Sequence, residues 1–415
     1  MADKAEPGTR RAAVIGGSMS GLFAAILLHR SGWEVDLYEQ SPAELAGRGA
    51  GIITHEGLNV TLNAAGLAMT ADLGVPTKGR RIYGQDGSVI AEIDFPQTNT
   101  SWDRLFDLLR RTFPRERYHL GKKLAGLDAR EDRVTINFAD GTSAEADLVV
   151  GADGIRSAVR QAVLPPLEPS YVGYAAWRGL VEESELSQKA RDELFDVFTF
   201  CLPPGEQMLG YPVAGRGNDL TPGHRRFNFV WYRPAAQDTQ LRRLLTDEKG
   251  RTHDMSIPPP LIAKAVIAEM RAAAEAVLAP LFAEAIRKTP MPFLQPIYDL
   301  ATPQMAFGRV ALIGDAAFVA RPHVGAGVTK AAEDALALAQ NLSDEADVAK
   351  ALRAFEAERL PIGHRIIDQA RRLGSYMQAQ LKTPEEQALA EKHRSPEAVM
   401  VETASIAFLE EPDAA

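Results

Sequence analysis

The sequence predicts an α/β fold in which a parallel-sheet, nucleotide-type domain is discontinuous, a second mixed or antiparallel sheet is interleaved with it, and helices close the chain. Three observations predict it. Glycine-containing strand ends recur at "VIGGSMSG" (14–21), "VVGADG" (149–154) and "LIGDAA" (312–317). A long block of apolar and aromatic β-type segments separates the second from the third. Helical periodicity then dominates after residue 326. Interleaving of this kind places 1–74, 98–170 and 292–345 in the first domain, 75–97 and 171–291 in the second, and 346–415 in a C-terminal helical segment and tail.

Taken in order, residues 12–16 read as a buried strand, 20–31 as a helix ending before Gly32, and "EVDLYE" (34–39) as a second strand. That is a β-α-β unit, so the sheet is parallel. "GRRIYGQDGSVIAEIDF" alternates around a tight "QDGS" turn and predicts an antiparallel hairpin over 75–95. Residues 101–113 have helical periodicity, and 132–154 form a hairpin that runs into "DLVVGAD". Between 170 and 235, "YVGYAAWRGLV", "FDVFTFCL", "QMLGYPVAG" and "RFNFVWYR" read as strands of one sheet. The stretch 236–290 is alanine-rich and reads as helical apart from "SIPPPL" (256–261). "PIYDLATPQMAFGRVALIGDAA" returns to strand, turn and strand. A helix spans 326–342, and one or two more span 346–381, with Pro361 as an interruption. The tail after 382 is acidic and polar and is expected to pack loosely.

Composition narrows the function. The chain has 415 residues, 46% hydrophobic and 24% charged, as an ordinary globular protein does. A net charge of −9 without any basic run speaks against nucleic acid as a partner. Cys201 is the single cysteine, so no internal disulfide framework exists and a reducing compartment fits. The eight histidines lack metal-ligand spacing, so no protein-built metal site is expected. No apolar run is long enough to span a bilayer. The short "AAVIGG" after Arg10 and Arg11 reads as a buried strand rather than a signal peptide. A cytoplasmic location follows as the expectation.

In the first turn, Gly16 permits the tight bend, Gly21 permits close helix packing, and Ser18 replaces the usual middle glycine with another small residue. A helix N-terminus there favours a pyrophosphate. Glu39 closes the second strand at the spacing of an acid that binds ribose hydroxyls and repels a 2′-phosphate. The turn is therefore Rossmann-like and suited to FAD or NAD. In the second turn, Asp153 and Gly154 mark a strand-to-loop bend, followed by Ser157 and Arg160; on residues alone it is equally a capped helix start. In the third, Asp315 can accept from a polyol, and Gly325 and Gly327 open a helix whose N-terminus can face an anion.

These three turns, in this order, resemble the motifs of the FAD-dependent aromatic hydroxylases with the p-hydroxybenzoate hydroxylase-like fold. The resemblance covers about residues 1–345. Within the group, "EPSYVGYAAWRG" and "ARPHVGAGVTKAAEDA" look most like a hydroxylase of pyridine rings, in which the "GGS" form of the first turn also occurs. The resemblance implies that Gly16, Ser18, Gly21 and Glu39 hold the ADP half of FAD. It places Arg48 and Arg104 beside the cofactor, and associates Asp153 and Gly154 with FAD and the path of the nicotinamide donor. It gives Asp315 the ribityl chain, and Pro322, Gly325 and Gly327 the border of the isoalloxazine. NADH or NADPH would visit transiently, since no second dinucleotide turn exists. The implied reaction is hydroxylation of a small hydroxylated aromatic or N-heteroaromatic ring by O2 through a C4a-hydroperoxyflavin, in a possible homodimer.

No side chain is unambiguously a base. His323, Tyr211 and His55 are candidates. Trp177 and Arg178 are candidate pocket walls, although an aromatic in a strand is usually core. Epoxidation or another flavin oxidation on the same scaffold, or a flavin-binding redox sensor without turnover, remain alternatives. The W-x-W-x-I-P pattern of flavin halogenases is absent.

Overall fold

Ala12–Ile15 are buried in the strand Arg11–Ile15 (β1), as a strand covered on both faces must be. The helix Met19–Arg30 (α1) follows, and Glu34–Tyr38 (β2) pairs parallel with β1, giving the expected β-α-β unit. This is a computed structural model, and it describes residues 10–45, 51–67, 73–377 and 383–410. Gly51–Ile53 (β3) and Glu56–Ala64 (α2) come next. Val75–Tyr83 (β4) and Val89–Ser101 (β5) form the hairpin, its turn held by Asp86 accepting from the Ser88 N–H at 2.9 Å. Trp102–Thr112 (α3) starts where the Ser101 hydroxyl accepts from the Arg104 N–H. Tyr118–His119 (β6) precedes a three-stranded antiparallel sheet of Leu124–Ala129 (β7), Val134–Phe138 (β8) and Ser143–Ala146 (β9). Leu148–Gly151 (β10) and Ala158–Val163 (α4) complete this half.

The middle of the chain supplies Ser170–Glu182 (β11), Gln188–Leu194 (α5), Val197–Cys201 (β12), Gln207–Val213 (β13) and Arg226–Pro234 (β14). Arg242–Leu244 (α6), Lys264–Val277 (α7) and Pro280–Lys288 (α8) follow. Phe293–Ala301 (β15), Ala306–Phe307 (β16), Val310–Leu312 (β17) and Phe318–Val319 (β18) lead to the helices Gly327–Asp344 (α9), Val348–Leu373 (α10), Pro384–Arg394 (α11) and Pro396–Glu402 (α12).

The first sheet has the order β16-β17-β10-β1-β2-β6, and the pairs β17·β10, β10·β1, β1·β2 and β2·β6 are parallel. Its strands come from three separated stretches, and their C-terminal ends meet along one edge. The second sheet has nine strands, β18-β15-β11-β14-β13-β12-β4-β5-β3. It is antiparallel except where β12 runs parallel to β4. Alternation decides its two faces. Trp177, Phe227 and Phe229 pack with Phe282 of α8, whereas Tyr174, Tyr211 and Tyr232 point the other way. Trp177 is therefore helix-facing core and Arg178, its neighbour, is not.

Three expectations need correction. Residues 245–255 are not helical: Asp247 accepts from the Lys249 and Arg251 N–H groups and from His253, which folds a turn there. Pro361 does not interrupt α10, which runs through it. Pro361 and Ala357, whose carbonyl the proline cannot bond, lie on the exposed face, while Phe355, Arg359, Ile366 and Ile367 keep the buried face continuous. The tail is not loosely packed. Val399, Met400 and Ala404 are buried against the second sheet, and Arg80, itself 0% exposed, donates to the carbonyls of Met400 (2.7 Å), Thr403 (2.6 Å) and Ala404 (3.3 Å).

Candidate active site

The sequence-predicted residues meet at the C-terminal edge of the parallel sheet, where ligands of open α/β sheets bind. Gly16 sits after β1 with φ +109°, and a Cβ there would lie 2.4 Å from the Ala152 carbonyl oxygen at the end of β10. A Cβ on Gly21 would lie 1.8 Å from the Gly16 carbonyl oxygen. Both positions demand glycine. Ser18 is the N-cap of α1, its side chain makes no capping bond, and the first turn carries no acid, so this helix end can face an anion. Glu39, buried at the end of β2, accepts from the Gly17 and Ser41 N–H groups, each at 2.8 Å.

Asp153 follows β10. Its carboxylate accepts from the Ser157 hydroxyl (2.5 Å) and the N–H groups of Ala158 (2.6 Å) and Val159 (3.1 Å), so its side chain is occupied in capping α4. Burial raises its pKa, against the pull of those bonds. Gly154 has φ +76° with open space where a Cβ would be. Arg160 is buried and donates to the carbonyls of Ala316 and Ile155. Arg104 lies on the first turn of α3. Arg48 lies outside the described residues.

Asp315 follows β17 in a turn whose Gly314, at φ +58°, packs on Ser20 of α1. The Gly314 N–H donates to Asp334, which also pairs with Lys330 (3.3 Å) and Arg359 (3.0 Å) in a buried cluster. Asp315 is exposed into a cavity of about 640 Å³, and desolvation by the protein around that cavity raises its pKa. Gly51–Ile53, Trp102 and Gly325–Val328 line the cavity on this side. Arg178, Leu209, Tyr211, Val230 and Tyr232 of the second sheet line the other, and Thr403 and Ala404 of the tail close it. Pro322 and His323 lie between the walls.

His323 is 1% exposed. The network assigns its tautomer: Nδ1 donates to Gln207 Oε1 (3.1 Å) and Nε2 accepts from the Tyr174 hydroxyl (2.9 Å). Arg321, paired with Asp299 at 2.9 Å, places its guanidinium 5.9 Å from the centre of the Tyr174 ring. Burial, then the Arg321 charge, holds the His323 pKa down to about 3. His323 is thus neutral, and the nitrogen a base would use is already engaged. Tyr211, stacked on Phe198 at 4.8 Å, has its pKa pushed up to about 12 by burial, so it donates rather than takes a proton. His55, bonded to the Gly325 carbonyl, is held down to about 4 by burial.

The residues fit a flavin dinucleotide. The adenine-side turn offers glycines no other residue can replace and an acid at the next strand end. The flavin-side cavity offers the Asp315 carboxylate without a hydrogen-bond partner among the described residues, and Gly327, where a Cβ would meet open space at the N-terminus of α9. That helix also has no acid in its first turn.

Comparison with known proteins decides the family. A family model described as FAD binding domain-like matches residues 171–299, the span of β11 to β15. The 2,6-dihydroxypyridine 3-monooxygenase of Paenarthrobacter nicotinovorans is 34% identical over 373 residues, covering 90% of this chain and 92% of that protein. The chain belongs to the FAD-dependent monooxygenases of aromatic and heteroaromatic rings. Another of these monooxygenases, salicylate hydroxylase of Pseudomonas putida, is 30% identical over 389 residues, covering 86% of this chain and 83% of the relative. The solved structure of 2,6-dihydroxypyridine-3-hydroxylase from Arthrobacter nicotinovorans superposes with a TM-score of 0.85 at 33% identity, covering 93% of this chain and 97% of that one. FAD is accordingly the cofactor of this monooxygenase, and the fold class predicted from sequence is the one observed.

The buried polar pairs around the cavity escaped the sequence reading: Tyr174, Gln207, Asp299, Arg321, Lys330, Asp334 and Arg80. Only Lys330 and Asp334 left a signal, opposite charges four apart on the otherwise apolar face of α9.

Proposed function

We propose that this flavoprotein hydroxylates a small ring of the hydroxypyridine type, with NAD(P)H as the transient electron donor and O2 as the oxygen source. One observation carries the reading: the cavity of about 640 Å³ lies between the Asp315 turn and an aromatic sheet face, the size and lining of a small-ring site. Bound FAD, once reduced, supplies the oxygen-activating chemistry.

The chain's own residues do the rest. Gly16, Ser18, Gly21 and Glu39 hold the ADP half, Asp315 accepts the ribityl hydroxyls, and Arg104 lies alongside. The α9 N-terminus, with Gly325 and Gly327, presents N–H groups to the negatively charged ring system. Pro322 and the sheet exclude water from the reacting face. Asp153 acts by fixing the turn and α4, leaving Gly154 as the open position beside the donor's path. Tyr211 orients the ring as a hydrogen-bond donor, and neutral His323 locks the Pro322 loop onto β11 and β13. In domain terms, the parallel sheet is the FAD-binding unit and the nine-stranded sheet the substrate unit. A homodimer and a cytoplasmic location complete the proposal, the latter supported by the buried free thiol of Cys201.

The test is NADH and NADPH oxidation by the FAD-reconstituted protein with and without 2,6-dihydroxypyridine, 6-hydroxynicotinate and salicylate. Sharp stimulation by a hydroxypyridine, with a hydroxylated product, supports the reading. A yellow protein that no ring compound stimulates favours a redox sensor instead.

A further inference from the structure

We propose that Arg178 holds the ring substrate as its oxyanion, so that the site selects hydroxylated N-heteroaromatics in their ionised form. The inference rests on the hydroxypyridine reading and adds what recognises the ring.

Arg178 projects from β11 onto the cavity face, beside Phe293 and Gln295 of β15 and across from Tyr211 and Tyr232. Its Nη1 donates to Gln295 Oε1 at 2.7 Å, and its guanidinium carbon lies 5.7 Å from the centre of the Phe293 ring. Its Nε is buried and has no hydrogen-bond partner, and no carboxylate pairs with it among the described residues. An unmet buried donor is costly, more so on a charged group, and a ligand acceptor would recover that cost. The other titratable or charged groups on the cavity wall are Tyr211, Tyr232, Tyr298, His323, Asp315 and Arg156. The three tyrosines are held protonated by burial, His323 is neutral, Arg156 is exposed, and Asp315 belongs to the opposite wall. Arg321, also at the wall, is neutralised by Asp299. Arg178 is left as the uncompensated cation of the substrate wall.

The chemistry matches. An ionised 2-hydroxypyridine presents its oxygen and ring nitrogen side by side, as a carboxylate presents two oxygens, and a guanidinium fork can donate to both. Binding takes the anion from solution, the proton having gone to water, so no base is needed in the site. The anionic ring is also the more electron-rich form, which oxygen transfer requires.

Isothermal titration of the FAD-reconstituted wild type, Arg178→Met and Arg178→Lys with 2,6-dihydroxypyridine and 2,6-dimethoxypyridine tests this. The wild type should bind the dihydroxy compound more tightly as pH rises through that ligand's own ionisation. Arg178→Met should bind it at least tenfold more weakly without that pH dependence, and bind the dimethoxy compound as the wild type does. Arg178→Lys should recover part of the affinity, and FAD content shows that each variant is folded. Equal affinities in wild type and Arg178→Met at every pH, or no binding by the wild type, overturn the proposal. Binding needs no turnover, so an Arg178-dependent anion site in a protein that never hydroxylates would sink the proposed function alone. Undiminished hydroxylation and binding in Arg178→Met would sink this inference alone.

Discussion

Gly16 and Gly327 are both glycines of the cofactor site, for opposite reasons. Gly16 is required by the fold, with φ +109° and a carbonyl where a Cβ would stand, while Gly327 faces open space. Gly16→Val should therefore give protein that does not retain FAD, read as a lost 450 nm band. Gly327→Ala should melt as the wild-type apoprotein does but bind FAD about tenfold more weakly, roughly 1.4 kcal/mol. Retention of FAD by Gly16→Val would remove the basis for the first turn. His323 carries a pH prediction. Its folded pKa of about 3 lies below the ordinary imidazole value of 6.5, so on acidification the unfolded chain takes the proton first. Its contribution is intact above about pH 6.5 and is lost progressively below it, at up to about 1.4 kcal/mol per pH unit. Asp153, with a raised pKa, acts in the opposite sense, so the comparison is with His323→Gln. Urea midpoints of that variant should fall less steeply between pH 6.5 and 4; an unchanged slope would show that His323 does not titrate as described. At this scale the sequence makes the strand-end glycines, Glu39 and Asp315 legible, because each follows a local turn. It does not show that His323 is sequestered, since Tyr174 and Gln207 reach it from strands more than a hundred positions away.

Among the elements, β-α-β units and hairpins are legible because their periodicity and turns are local. Pro361 and the tail are misjudged because tertiary packing decides them. The C-terminal segment owes its place to Arg80, whose guanidinium caps the carbonyls at the end of α12, and the Ala404 N–H donates to the His323 carbonyl at 2.7 Å. Arg80→Met leaves those carbonyls unmet and should cost about 2–4 kcal/mol. Limited proteolysis should then cut between 395 and 410 while the rest of the chain stays intact. A resistant tail in that variant would mean that the apolar contacts of Val399 and Met400 hold it without Arg80.

For the whole molecule, interleaving is what makes a site. The parallel sheet brings Gly16, Glu39, Asp153 and Asp315 to one edge from three separate stretches, and the nine-stranded sheet closes over that edge. The order of the turns in the sequence is enough to read this arrangement, but the cavity's second wall depends on which face of β11 to β15 turns inward. That face determines Arg178 as lining and Trp177 as core. In the proposed function, this site places an oxygen atom from O2 onto an aromatic ring. Turnover of 2,6-dihydroxypyridine under ¹⁸O2, followed by mass spectrometry of the product, tests it most directly. One ¹⁸O atom is expected in a newly hydroxylated ring. Product labelled from water, or NAD(P)H consumption that yields only hydrogen peroxide with every ring compound tried, would contradict it.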